Sequence, residues 1–128
     1  MIFVDSNVFI YAVGRPHPLQ VDAQNFFFEA GKTGSFLVTS SEVLQELLHV
    51  YLPVGRFATL DAALELATRS TDRILPITLD MVLHARNLAD SLPGLSARDL
   101  LHIAVCWQTK IKKIKTFDLP LQAAFQNP

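Results

Sequence analysis

Four short apolar runs, rich in β-branched and aromatic residues, punctuate this chain at residues 2–4, 36–39, 74–77 and 114–117, with long helical stretches between them. Runs that are apolar throughout, rather than alternating, are the mark of strands buried on both faces of a parallel sheet. The intervening stretches have helical spacing and helical ends. Residues 19–30 follow a Pro16-His17-Pro18 loop and end at Gly31; residues 41–52 stop at Pro53. Residues 57–69 carry apolar side chains at 57, 60, 64 and 67, residues 79–91 end at Pro93-Gly94, and residues 97–109 are the most apolar of the set. Strand–helix–strand units cross over with one hand, so the pattern predicts a single α/β sandwich domain, residues 1–128, built on a mainly parallel sheet.

Composition narrows the function classes. Half of the 128 residues are apolar and 18% are charged, which excludes disorder and leaves a thinly charged surface suited to an oligomer interface or to a well-filled core. A formal net charge of −1 argues against a strongly basic nucleic-acid binder, yet acids gathered in one site could offset basic residues elsewhere. Cys106 is the only cysteine, so no internal disulfide forms; in the most apolar helix it reads as an inert core thiol, and the chain as a protein of the reducing cytoplasm. The apolar N-terminus lacks a preceding basic residue and is interrupted by Asp5 and Asn7, unlike a signal peptide, and no stretch approaches a membrane span.

Four acidic residues stand where apolar segments meet polar ones: Asp5 after the first strand, Asp118 after the last, Asp99 at the start of the most apolar helix, and Glu46 on the border of the buried face of residues 41–52. Each has an ordinary structural explanation. Asp5-Ser6-Asn7 has turn-forming chemistry. Thr39-Ser40-Ser41-Glu42 matches a capping box that gives Glu42 a structural task with Thr39 as cap, and Ser96-Ala97-Arg98-Asp99 matches another. Asp118 precedes Pro120 in a plain turn. Ligands of open parallel sheets, however, sit beyond the carboxyl ends of the strands, and two of these acids stand at that edge. Four carboxylates in one pocket cannot all stay ionised without a cation. Neither a cysteine pair nor a His-Glu-x-x-His motif is present, so an oxygen-ligated Mg²⁺ or Mn²⁺ is the expected ion. His102, three residues after Asp99, reads as a hydrogen-bonded core residue. Gly31-Lys32-Thr33 resembles the end of a P-loop but lacks the earlier glycine and precedes a strand.

Lys110, Lys112, Lys113 and Lys115 offer a candidate basic track. The first three also follow a helix, where cations suit the dipole, and lie toward the amino end of the last strand; a solvated helix end is the favoured reading. Arg15 and Arg98 fall nearer the expected cleft and are the better candidates for substrate or partner contact.

Taken together, Ile2-Phe3-Val4-Asp5-Ser6-Asn7-Val8, Thr39-Ser40-Ser41-Glu42-Val43-Leu44-Gln45-Glu46-Leu47, Leu95-Ser96-Ala97-Arg98-Asp99-Leu100-Leu101-His102 and Thr116-Phe117-Asp118 resemble the PIN-domain ribonucleases, and within them the VapC-like toxins of toxin–antitoxin pairs. The motifs are short, but they occur in the family's order and cover almost the whole chain. The resemblance implies a parallel sheet of four to five strands, with residues 121–125 the only candidate for the fifth. It implies Asp5, Glu46, Asp99 and Asp118 as metal-binding and catalytic carboxylates, with Glu42 able to displace Glu46, and Ser6, Asn7 and Thr116 as supporting polar residues. It further implies metal-assisted hydrolysis of RNA, a small antitoxin as partner, and a homodimer. The competing readings are a catalytically silent binding or regulatory module on the same fold, and a small phosphate-ester hydrolase. Asn7 speaks against an aspartyl-phosphate enzyme, because it stands where a second aspartate would be needed.

Overall fold

In the computed structural model, which describes residues 1–126, strands and helices alternate as β1 (Ile2–Val4), α1 (Ser6–Val13), α2 (Gln20–Thr33), β2 (Leu37–Ser40), α3 (Ser41–Tyr51), α4 (Phe57–Ser70), β3 (Arg73–Leu75), α5 (Leu79–Leu88), α6 (Ala97–Gln108), β4 (Lys113–Lys115) and α7 (Leu119–Gln126). The strands form one sheet in the order β3-β2-β1-β4. All pairs are parallel: Ile2 faces Leu37 on one side and Lys113 on the other, and Val38 faces Arg73. The path steps outward from β1 through β2 to β3, then returns to the other side of β1 for β4. The switch in direction therefore falls between β1 and β4, and a crevice opens there at the carboxyl ends.

Burial explains the strand sequences. Phe3, Val4, Leu37 and Val38 lie in the two inner strands and are essentially inaccessible to water, which is why those runs are apolar throughout. The outer strands carry exposed charge at Arg73 and Lys113, which discourages edge-to-edge pairing with another chain. Helices α1 to α4 pack against one another, and α5 packs on α6. The core runs from Phe3, Val8 and Phe9 through Val43, Leu47 and Leu60 to Ile103, Val105 and Leu121.

Several expectations need correction. Residues 121–125 are not a fifth strand; they lie in α7, which Asp118 caps by accepting from the Leu121 N–H at 3.0 Å. Residues 6–13, to which the sequence pattern assigns no element beyond the turn at Asp5-Ser6-Asn7, form α1. Their β-branched and aromatic content is poor for a helix, but Val8, Phe9 and Ala12 recur at helical spacing on the buried face, and tertiary packing overrides propensity. Helix α2 continues through Gly31 to Thr33 and ends at Gly34, whose φ of 68° suits a residue without Cβ. Ser40, not Thr39, caps α3, accepting from the Val43 N–H. The Thr39 hydroxyl instead donates to the Val4 carbonyl at 2.9 Å, which ties β2 to the end of β1.

Helix α6 ends in a turn where the Ile111 N–H reaches the Cys106 carbonyl at 2.8 Å and the Lys110 N–H reaches that of Trp107. This closure puts Lys110 at a φ of 61°, the left-handed conformation that favours glycine. Lys110→Gly is expected to stabilise the fold by about 1 kcal/mol, read as a higher urea midpoint at unchanged m-value.

Candidate active site

Asp5 is fixed from three directions. Its backbone N–H donates to the Lys115 carbonyl of β4 at 3.0 Å, so the residue stands where β1 leaves the sheet. Its Oδ1 accepts from the Ser6 N–H at 2.7 Å and caps α1. Its Oδ2 accepts from the Thr116 hydroxyl at 2.7 Å. Thr116 in turn accepts from the Asp118 N–H at 3.0 Å and the Asn7 amide at 3.2 Å, and the Asn7 carbonyl oxygen accepts from the Phe117 N–H. One hydroxyl thus links the end of β1, the start of α1 and the segment after β4 across the switch-point crevice. Ser6, Asn7 and Thr116, expected as supporting residues, are the struts of this arrangement.

Glu46 arrives from α3. It is buried, its Oε2 accepts from the Ser6 hydroxyl at 2.6 Å, and its Oε1 lies 2.8 Å from Nε2 of His102. Glu42, one turn earlier, is half-buried and makes none of these bonds. The difference follows from helix phase: Val43, Glu46 and Leu47 share the buried face of α3, and its polar end points into the crevice.

His102 is the residue the sequence undervalues. It is a hydrogen-bonded core histidine, as expected, but its partners are the carboxylates of the site. The ring is wholly buried, tilted against Phe3 at 5.4 Å, with Nε2 at 2.8 Å from Glu46 and 3.4 Å from Asp5. A carboxylate can only accept, so Nε2 carries the proton and donates. Nδ1 has no hydrogen-bond partner among the described residues, so the ring's polar anchorage there comes from the carboxylate side. The signal available in the sequence was its spacing of three from Asp99, which puts both on one face of α6.

Asp5, Glu46 and His102 each present a ligand atom, all within 4.8 Å of one another. Asp99 and Asp118 stand outside this tight set and are coupled to it by charge. Ser96 caps α6 by accepting from the Asp99 N–H at 3.1 Å, which holds Asp99 in the first turn. Burial raises the Asp99 pKa above the ordinary carboxyl value, and the charges of Asp118 and Asp5 raise it further, against weaker help from Ser96. The Glu46 pKa moves the other way: burial pushes it up, but the bond and charge of His102, the Ser6 hydroxyl and the Arg98 charge together carry it below the usual value. For His102, burial favours the neutral ring, yet Glu46, Asp5 and Asp99 outweigh it and raise the pKa above its normal value.

The site is therefore rich in negative charge around one buried imidazole, and its carboxylate oxygens, drawn from separate elements, suit a divalent ion, with a half-buried acid beside them whose ionisation is penalised by burial and by the charges of Asp118 and Asp5. Arg98 and Arg15 are exposed; the Arg98 charge reaches Glu46, while Arg15 has no ion pair among the described residues. Cys106 lies buried in α6, where desolvation and the Asp5 charge push its thiol pKa far up. It is expected to resist alkylation by iodoacetamide in the native protein and to react only after denaturation.

Comparison with known proteins places this geometry in a family. The PIN domain model matches residues 2–124. Ribonuclease VapC23 of Mycobacterium tuberculosis is 51% identical over 127 residues, 99% of this chain and 100% of that protein. Ribonuclease VapC13 of the same organism is 42% identical over 118 residues, covering 92% and 90% of the two chains. Among solved structures, VapC20 of M. tuberculosis, described as a sarcin-ricin loop cleaving toxin, superposes with a TM-score of 0.77 over 97% of this chain and 95% of its own, at 22% identity; that likeness speaks to the fold. With the family's domain spanning nearly the whole chain and half of its residues shared with a VapC ribonuclease, this chain belongs to the PIN-domain family, among the VapC-type ribonucleases.

Proposed function

We propose that the chain is an endoribonuclease that hydrolyses RNA phosphodiester bonds in the crevice between β1 and β4, acting as the toxin of a toxin–antitoxin pair. The observation that carries this reading is the convergence of Asp5, Glu46 and His102 within 4.8 Å, from three separate elements, beside an Asp99 whose ionisation is penalised by burial and by the charges of Asp118 and Asp5. Asp5, Glu46, Asp99 and Asp118 would hold Mg²⁺ or Mn²⁺, the hard cations suited to carboxylates. A bound ion of this kind supplies Lewis acidity toward the phosphate and lowers the pKa of water.

The chain's own residues do the rest. Thr116 and Asn7 fix the orientation of Asp5 through hydrogen bonds that need no rearrangement, which is the pre-organisation that makes electrostatic stabilisation effective. His102 and Ser6 lock the two oxygens of Glu46 separately. Asp99, half-buried in the first turn of α6 and held there by the Ser96 cap, extends the acidic wall that would face the ion. Arg98, exposed on the first turn of α6 and felt by Glu46, is placed for a phosphate of the RNA or an acid of the partner.

Protein partners have surface to use. Leu79, Val82 and Leu83 project 72%, 48% and 53% exposed from one side of α5, and support contact with a second copy or with a small antitoxin. No helix among the described residues is long and apolar enough to cross a membrane.

The test is RNA cleavage by the chain purified free of partner. Cleavage is expected with Mg²⁺ or Mn²⁺, abolished by EDTA and restored by excess metal. No cleavage with any divalent ion, together with no metal binding at millimolar concentration, would leave the silent binding module as the better account.

A further inference from the structure

We propose that the edge strand β4 and the turn before it form a second RNA-contact surface, remote from the acidic cleft, which holds the flanking part of a longer substrate. The proposal rests on the nuclease reading above for its purpose, though not for its geometry. Four of the chain's eleven basic residues, Lys110, Lys112, Lys113 and Lys115, fall within six positions, and no acid occurs from residue 110 to residue 117. A helix end explains the first of these but not a cluster that continues along the strand. Among the described residues, none of the four lysines is paired with a carboxylate. In a chain of net charge −1, that is an unneutralised local concentration of positive charge.

The surface is concave and aromatic as well as basic. Lys112 lines three adjoining hollows. One of about 620 Å³ has Trp107 and Phe125 in its wall, one of about 330 Å³ has Phe36, and one of about 290 Å³ has Phe26. The cation of Lys115 sits 4.7 Å from the Phe117 ring centre and 5.6 Å from that of Phe26, and Phe117 meets Tyr11 edge-on at 5.6 Å. This series of cations and flat rings leads along β4 toward Thr116 and Asp118. Lysines neutralise phosphates, and the exposed Phe36 and partly exposed Trp107 rings beside them can accept stacked bases of any sequence, which fits a single-stranded nucleic acid better than an acidic peptide. Asp22 and Glu29 line a further hollow on the α2 side of Lys115, which bounds the positive surface there. From Lys112 to Asp118 the chain can extend about 20 Å, at roughly 3.3 Å per residue, so only an RNA of more than a few nucleotides could touch both places.

The experiment compares fluorescein-labelled oligouridylates of 20 and 4 nucleotides, bound in EDTA so that nothing is cleaved. The variant is Lys110→Gln/Lys112→Gln/Lys113→Gln, with the matching triple Lys→Arg variant as control and circular dichroism to establish that both fold. For the 20-mer the Gln variant is expected to bind at least about tenfold more weakly at 0.1 M salt. The slope of log K against log salt should shrink by about 2, three phosphates at ~0.7 each. The Arg variant should bind like the parent, and the 4-mer should bind more weakly than the 20-mer throughout and also lose affinity in the Gln variant. With Mg²⁺, KM for the 20-mer should rise in the Gln variant while kcat holds. Unchanged affinity and salt slope in the Gln variant would overturn the proposal. So would unchanged RNA binding with lost binding of a purified acidic partner protein, which would assign the surface to that partner. If the parent binds the 20-mer through these lysines but cleaves neither RNA, the contact surface stands and the nuclease reading falls.

Discussion

Asp5→Asn is expected to lower metal-dependent RNA cleavage on the order of 10³-fold, the rate equivalent of about 4 kcal/mol of lost transition-state stabilisation. The fold should survive. Asparagine caps a helix as well as aspartate does, so the bond from the Ser6 N–H can persist. The local cost lies at Oδ2, where an amide nitrogen would meet a Thr116 hydroxyl that already accepts from Asp118 and Asn7. One such mismatched buried contact costs about 1–2 kcal/mol. The measurements are single-turnover cleavage in Mg²⁺ and the urea midpoint in EDTA. A large loss of rate with a small loss of stability is the expected pair. Asp99→Asn should reduce the rate similarly without destabilising the metal-free protein, because it removes a carboxylate whose ionisation is already penalised. Full activity in either variant would remove that residue from the site.

His102→Leu is expected to have the largest effect on stability. In the metal-free protein it removes the buried imidazole that donates to Glu46 at 2.8 Å and lies 3.4 Å from Asp5. Breaking a buried ion pair from one side costs about 3–5 kcal/mol. A divalent ion in the crevice would supply the missing charge, so Mn²⁺ should narrow the gap between variant and parent; an equal gap in Mn²⁺ and EDTA would argue that no ion compensates there. The histidine also sets a pH dependence. Its folded pKa lies above the unfolded value of about 6.5. Its contribution is therefore fully present below that pH and is lost as pH rises through the folded value. Metal-free parent protein should lose urea stability above about pH 6.5, and His102→Gln, which keeps a donor but not the charge, should lose that dependence.

The strands, most helices and the sheet edge bearing the site could be read from the sequence because they follow from local pattern. Buried parallel strands show as unbroken apolar runs, and Asp5 and Asp118 follow two of them. What escaped reading depends on contacts made far along the chain. Helix α1 forms from residues of poor helical propensity because Val8 and Phe9 are buried in the core. Thr39 looked like a cap because the local pattern allowed it, but its hydroxyl is drawn to the Val4 carbonyl on a neighbouring strand. Residues 121–125 have strand-like apolarity, yet Asp118 caps them into a helix. The choice of Glu46 over Glu42 was open to helix phase but needed Ser6 and His102 to decide it, partners 40 and 56 positions away. His102 looked like a core residue because that is what it is; only the structure shows that the core is continuous with the floor of the site.

The crevice between β1 and β4 is expected to hold a divalent ion on Asp5 and its neighbouring acids. Crystals of the partner-free protein soaked in Mn²⁺ and measured for anomalous scattering test it directly. The predicted result is a peak within bonding distance, about 2 Å, of the Asp5 carboxylate, with Asp99 or Glu46 beside it, and no such peak in Asp5→Asn crystals. A Mn²⁺ peak elsewhere in the molecule that persists in Asp5→Asn, or an empty crevice in a preparation that still cleaves RNA, would contradict it.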